Sequence, residues 1–118
     1  FMGDFSDLKV PEITKIRPVI VISPRLPNRS QLAAIVPISL TPPSRPLPYV
    51  FRLSRNYNPL SPESLACWAK CDLVMNVSLA RLSAIKVGRR RYAYPTLTPE
   101  DLAGVRRAVL AGLGLDRD

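Results

Sequence analysis

Histidine is absent from this 118-residue sequence, and that one absence removes several chemistries at once. A Ser-His-Asp triad, a Cys-His pair, a histidine-ligated metal cluster and a two-histidine ribonuclease are all excluded. Acid-base work must fall to Asp, Glu, Lys, Arg, Tyr or a hydroxyl. Carboxylates are scarce as well, with 9 Asp and Glu against 17 Lys and Arg. Only Glu12 and Asp72 sit among apolar, strand-like segments. Cysteine is limited to Cys67 and Cys71, four apart, which lacks the two-residue spacing of a redox pair and any histidine to complete a zinc site. Both read as reduced, buried thiols, and neither a metal nor another cofactor is expected. No glycine-rich phosphate loop is visible. Apolar runs such as Val19 to Ile22 are far below transmembrane length, and no signal-peptide pattern is present, so a cytoplasmic location without a membrane partner is expected.

What the sequence has in excess is proline and positive charge. The 13 prolines fall mainly between positions 37 and 62, where they set turns and exclude a long helix. The formal net charge is +8, and it is unevenly spread. Between Ile13 and Pro62 stand Lys15, Arg17, Arg25, Arg29, Arg45, Arg52 and Arg55 with no acidic residue, and Lys86, Arg89, Arg90 and Arg91 follow later. All but four of the 17 basic residues are Arg, which favours bidentate phosphate contacts over plain solubilising charge. Such a field attracts polyanions. Ribosomal and membrane-surface proteins share it, so the charge alone does not single out a nucleic-acid partner.

Hydrophobic patterning gives the frame. Pro18 to Ser23 is a β-branched run suited to a strand buried on both faces, and Leu32 to Ser39 reads as its partner, with a connecting loop over Pro24 to Ser30. Tyr49 to Ser54 alternates as a half-exposed strand does. The stretch from Thr41 to Pro48 is a stiff connection rather than a Pro-rich ligand. Ala69 to Val77 is a fourth strand candidate with Asp72 in its middle, where a salt bridge to an arginine at the core edge is the plain structural explanation. One helix is clear: Thr98 caps it, Pro99 takes its first position, and Glu100 and Asp101 favour the positive end of its dipole. Leu102, Val105, Val109 and Leu113 recur at helical spacing to pack it, Arg106 and Arg107 lie on its solvated side, and Gly112 and Gly114 supply a stop. The expected fold is mainly β, a small barrel or curled sheet with a C-terminal α-helix, in one domain over residues 1–118. At this size a homodimer is a sensible expectation.

Specific segments carry a family resemblance. Pro11 to Ser23 (PEITKIRPVIVIS) resembles the PemK/MazF toxin segment in which Arg-Pro opens a strand. Ile35-Val36-Pro37-Ile38-Ser39 is similar to the family's next strand, and Trp68 to Asp72 with Val77 to Leu82 looks like the later block of the PemK branch. The order is right over nearly the whole chain. This resemblance implies an SH3-like barrel that dimerises, with RNA in a groove across or beside the interface. It implies the toxin of a type II toxin-antitoxin system: an endoribonuclease that cleaves single-stranded RNA without metal, through the RNA's own 2′-hydroxyl. It also implies a cognate antitoxin whose acidic, disordered tail folds onto the basic surface.

By the same resemblance, Arg17 matches the catalytic arginine that stabilises the phosphorane or protonates the leaving oxygen; its plain alternative is a surface ion pair. Ser39 matches a position where many members have Thr, a hydroxyl that donates to a phosphate oxygen, or merely caps a loop. Glu12 and Asp72 both match positions assigned a general base, with Asp72 in the closer block and Lys70 as its basic neighbour. The candidate RNA contacts are Lys15, Lys70, Arg25, Arg29, Arg89, Arg90 and Arg91. Base preference is expected from loops 24–31 and 41–48. Two departures stand out: Met75 replaces an arginine of many relatives, and the family's opening Gly-Asp strand is expected to lie upstream of Phe1. The rival readings are a gyrase-binding toxin of similar fold and a non-catalytic nucleic-acid-binding barrel.

Overall fold

The computed structural model describes residues 1–4, 17–24 and 31–116. One long strand organises the rest. In chain order the strands are β1 (Met2–Gly3), β2 (Arg17–Val21), β3 (Leu32–Ser39), β4 (Val50–Arg52), β5 (Trp68–Lys70), β6 (Met75–Ser78), β7 (Leu82–Ser83), β8 (Ile85–Gly88) and β9 (Arg91–Ala93). The helix α1 (Pro99–Gly112) follows. Seven strands form one antiparallel sheet in the order β4-β5-β3-β2-β1-β7, with β6 also on β3, and among the described residues its two ends do not join. Among the described residues, β8 and β9 pair only with each other, as a hairpin. The expected mainly-β class with a C-terminal helix is therefore what the chain adopts.

β3 coincides with the expected partner strand, and its composition explains its place. Val36 packs on one face with Ile20, Leu53, Cys67, Ala69, Cys71 and the helix residues Val105 and Ala108, while Ile35 packs on the other with Val19 and Val77. Neighbouring β-branched residues in β2 and β3 thus serve opposite faces, as continuous apolar strands do when both sides are covered. Fully burying each such side chain contributes about 1.5–3 kcal/mol.

The fourth expected strand, Ala69 to Val77, is not continuous. β5 and β6 lie end to end along the same edge of β3, but Ala69 pairs with Ile38 and Met75 with Ile35. The five residues 70–74 therefore stand opposite only Val36 and Pro37. Surplus residues on one strand bend it and re-aim their side chains. Asp72 falls in this turn, exposed, rather than within a strand. Cys71 beside it stays buried, its N–H donating to Tyr49 O at 2.9 Å.

The helix begins as its sequence indicates. Thr98 Oγ1 accepts from Asp101 N at 3.2 Å, and Pro99 occupies the first turn. Asp101 does more than complement the dipole. Buried at 3% exposure, it accepts from Ser54 N at 3.1 and 3.2 Å, Ser54 Oγ at 2.7 Å and Tyr57 Oη at 2.5 Å. These bonds tie the helix start to the chain leaving β4. Gly104 lets the helix approach that strand, since a Cβ there would stand 2.2 Å from the Phe51 ring. Leu113, expected on the packing face, lies beyond the last helical residue and is exposed, because the chain leaves the helix at the positive-φ Gly114. Arg106 and Arg107 are solvent-exposed as expected.

At the other end, Met2 and Gly3 pair with Pro18 and Arg17 on one side and with Ser83 and Leu82 on the other. The opening strand with its Gly-Asp pair, expected upstream of Phe1, is thus already present at residues 2–4.

Candidate nucleic-acid interface

Strand alternation divides the β3-β5-β4 corner into two faces. Ile38, Ala69 and Phe51 pair in a row and turn inward, joining the core under α1. Their neighbours necessarily face the other way. Ser39 pairs with Trp68, and Trp68 with Arg52, giving a second row across three strands. Lys70, two residues after Trp68 and paired with Val50, shares that outward face. Arg52 is exposed while Ser39, Trp68 and Lys70 are half-buried. The Arg52 guanidinium stands 6.0 Å from the centre of the Trp68 ring.

Ser39 ends β3, and its hydroxyl accepts from Thr41 N at 3.1 Å. That is the loop-capping bond anticipated as its plain alternative. It leaves the hydroxyl proton available to a phosphate oxygen. Arg17 opens β2 and pairs with Gly3 of β1. On the opposite edge the β2-β3 pairing runs from Val21–Ile35 to Val19–Pro37. Carried two residues further, that register sets Arg17 level with Ser39. Pro18 carries no N–H, so the next hydrogen-bonded pair of that register, Pro18 with Ile38, lacks one of its two donors.

Asp72 sits at the apex of the turn that follows Lys70, and Leu73 N closes this turn on Lys70 O at 3.1 Å. The end of α1 supports it from behind: a Cβ on Gly112 would stand 2.7 Å from Cys71 O and 3.1 Å from Asp72 Cα. Burial pushes the Cys71 thiol up to about 12, with the Asp72 charge adding to the effect, and burial likewise raises that of Cys67. Both cysteines are free and buried, as expected. Glu12, Lys15, Arg25 and Arg29 lie outside the described residues.

Arg89, Arg90 and Arg91 cluster at the tip of the β8-β9 hairpin, all exposed. Arg90 holds a left-handed φ of 57°, which makes the tight turn. Lys86 pairs with Tyr92, so cations and an exposed aromatic ring share this arm. The hairpin forms a sheet of its own, apart from the one carrying Ser39, Trp68 and Lys70.

Trp68 and Arg52 are the site residues that sequence reasoning did not select. In the sequence Trp68 is only part of a family block, and Arg52 only one cation among many. What was needed was the β4-β5 register, which no local pattern supplies. An apolar hollow of about 250 Å³, walled by Pro18, Ile20, Ile38, Tyr57, Leu97 and Leu102 among others, is lined by none of the candidate site residues and by no Lys or Arg side chain. A polyanion fits the outward face instead. Among the described residues, no three Cys, Asp or Glu side chains are grouped to share a metal ion, and no helix is long and apolar enough to cross a membrane.

Fold and site together define a small, basic, mainly-β protein whose outward sheet face offers cations, a hydroxyl and an indole ring. The family model for PemK-like, MazF-like toxins of type II toxin-antitoxin systems matches residues 1–113, and the chain belongs to that family. Among solved structures it is similar to an endoribonuclease in complex with its cognate antitoxin from a mycobacterial species, at TM-score 0.67 and 16% identity, covering 100% of this chain and 93% of that one. It is also similar to the Mycobacterium tuberculosis toxin MazF-mt6, at TM-score 0.64 and 17% identity over 98% of both chains. A second mycobacterial endoribonuclease aligns at TM-score 0.62 and 17% identity, covering 87% of this chain and 85% of that one. At these identities the likeness is one of fold. No curated protein matches by sequence.

Proposed function

We propose that this toxin is an endoribonuclease that cleaves single-stranded RNA without a metal ion, acting as a homodimer in the cytoplasm and held in check by an acidic antitoxin. The observation that carries this reading is the outward row of Ser39, Trp68 and Arg52 with Lys70 beside it, flanked by the Asp72 turn and by Arg17 at the level of Ser39.

In the reaction a carboxylate takes the proton of an RNA 2′-hydroxyl. The 2′-oxygen attacks the adjacent phosphorus, the P–O5′ bond breaks, and the leaving oxygen receives a proton. The products carry a 2′,3′-cyclic phosphate and a 5′-hydroxyl. Because the nucleophile belongs to the substrate, no Ser, Cys or His nucleophile is required, and the protein's task is positioning and charge stabilisation. Asp72 is the proposed base, favoured over Glu12 because its turn emerges directly after Lys70 on the outward face. Arg17 stabilises the phosphorane or protonates the leaving oxygen, and Ser39 donates to a phosphate oxygen. Dependence on the 2′-hydroxyl makes RNA, not DNA, the substrate.

The net charge of +8 suits a flexible acidic antitoxin segment, and the affinity of that complex falls as salt rises. Incubating the protein with mixed single-stranded RNA in excess EDTA, beside an Arg17→Ala control, tests the reading. Discrete cuts ending in cyclic phosphates and lost in the control support it. RNA that is bound but left intact points to a non-catalytic nucleic-acid-binding protein, and RNA that is neither bound nor cut points to a toxin with another target.

A further inference from the structure

We infer that Trp68 is a base-stacking platform for the RNA, and that Arg52 and Lys70 hold the phosphates on either side of the stacked base. This rests on the reading of the chain as an RNA-directed toxin, and it assigns binding roles to a tryptophan and an arginine that the cleavage chemistry does not use.

The geometry argues as follows. Trp68 occupies the middle strand of the β3-β5-β4 corner, so Ser39 and Arg52 flank it across both edges of β5. Its strand neighbour Ala69 is fully buried beneath, which fixes the backbone under the indole. A half-buried indole on a rigid strand is anchored yet leaves ring surface to solvent. The Arg52 guanidinium, 6.0 Å from the ring centre, keeps a cation beside that surface, and Lys70 adds another on the same face. The strand positions of this face, Ser39, Val50, Arg52, Trp68 and Lys70, include no carboxylate, and Asp72 stands beyond them on the turn after Lys70. An aromatic ring beside cations on one sheet face is the arrangement by which proteins grip single strands, the ring taking a base and the cations its backbone. Double-stranded nucleic acid keeps its bases stacked on one another and is a poor ligand for such a ring.

Because Trp68 is the one tryptophan of the chain, its emission reports on this site alone. Short single-stranded 2′-fluoro RNAs lack the attacking hydroxyl and stay intact. Titrating them into the protein is expected to quench Trp68 emission saturably, in step with binding followed independently by anisotropy of a labelled oligonucleotide. Trp68→Phe is expected to keep affinity within a few-fold, and Trp68→Ala to weaken it about tenfold. On cleavable RNA, Trp68→Ala raises KM while kcat changes little.

Binding by anisotropy with no change in Trp68 emission overturns the inference, as does Trp68→Ala with unaltered affinity, or a complete absence of binding. Quenching together with failure to cut natural RNA leaves the stacking site standing and removes the endoribonuclease reading instead. The emission measurement uses the unmodified chain, so it decides the matter even where a variant folds poorly.

Discussion

Gly112, the last residue of α1, presses against the backbone of Asp72: a Cβ added to it would lie 3.1 Å from Asp72 Cα and 2.7 Å from the adjoining Cys71 O. The helix end thus sets the height of the turn that presents the proposed base. Gly112→Ala forces backbone to move, because the obstruction is not a flexible side chain. Overpacking of this kind costs about 1–3 kcal/mol. Cleavage should fall by more than the loss of folded protein explains, which thermal unfolding and steady-state kinetics on the same preparation will separate.

Asp72→Asn is the direct test of the base. It is nearly isosteric at an exposed turn, so folding should be unchanged, while kcat drops about 10²- to 10⁴-fold with RNA affinity retained. Glu12→Gln, measured in parallel, should have a small effect. The reverse pattern would assign the base to Glu12.

Asp101 makes the chain sensitive to acid. Burial on its own would raise the carboxyl's pKa, but hydrogen bonds from Tyr57 and then Ser54, with the Arg55 charge, outweigh it and hold the group below its ordinary 3.8. A carboxylate lowered in the folded state lends stability that is complete above its unfolded value and lost as pH falls through the folded one. Asp101→Ala should cost about 2–4 kcal/mol at neutral pH, since it removes the acceptor of the Ser54 amide and hydroxyl and leaves the Tyr57 hydroxyl only its contacts with Thr98. Urea midpoints measured from pH 6 down to pH 2 should decline less steeply for the variant than for the parent chain.

The thiols give the opposite pH limb. Cys71, pushed up from 9.0 to about 12, stays neutral when folded, so its contribution is complete below the unfolded value and is lost as pH rises from there toward 12. At pH 8 iodoacetamide should leave Cys67 and Cys71 largely unmodified in the native protein and alkylate both in urea. Fast native modification would contradict the burial seen here.

Removing the hairpin cations together, as Arg89→Ala, Arg90→Ala and Arg91→Ala, should weaken RNA binding similarly for all sequences. The slope of log affinity against log salt should fall by about 0.7 per lost phosphate contact on single-stranded RNA. Binding constants across a salt series check this. An unchanged slope would place the hairpin away from the RNA.

How far the sequence can be read depends on the range of the forces involved. The ends of α1 follow from Thr98, Pro99 and Gly114, and the core of β3 from its β-branched run, because capping and strand preference act within a few residues. The resemblance over Pro11 to Ser23, Ile35 to Ser39, Trp68 to Asp72 and Val77 to Leu82 points to the family, which the match over residues 1–113 establishes. Asp101 illustrates the limit: its position in the first turn was legible as a dipole effect, but its burial among Ser54 and Tyr57 depends on residues more than forty positions away.

Composition and local pattern by themselves determined the mainly-β class, the helix, the basic surface and the exclusion of histidine chemistry, since each is decided by which side chains exist and how apolar ones alternate. Only the tertiary structure decided that Asp72 stands on a bulge instead of within a strand, and that Trp68 lies between Ser39 and Arg52. Those outcomes are set by register against β3 and by the close approach of Gly112, long-range pairings whose energy appears only once the whole sheet and its helix have packed.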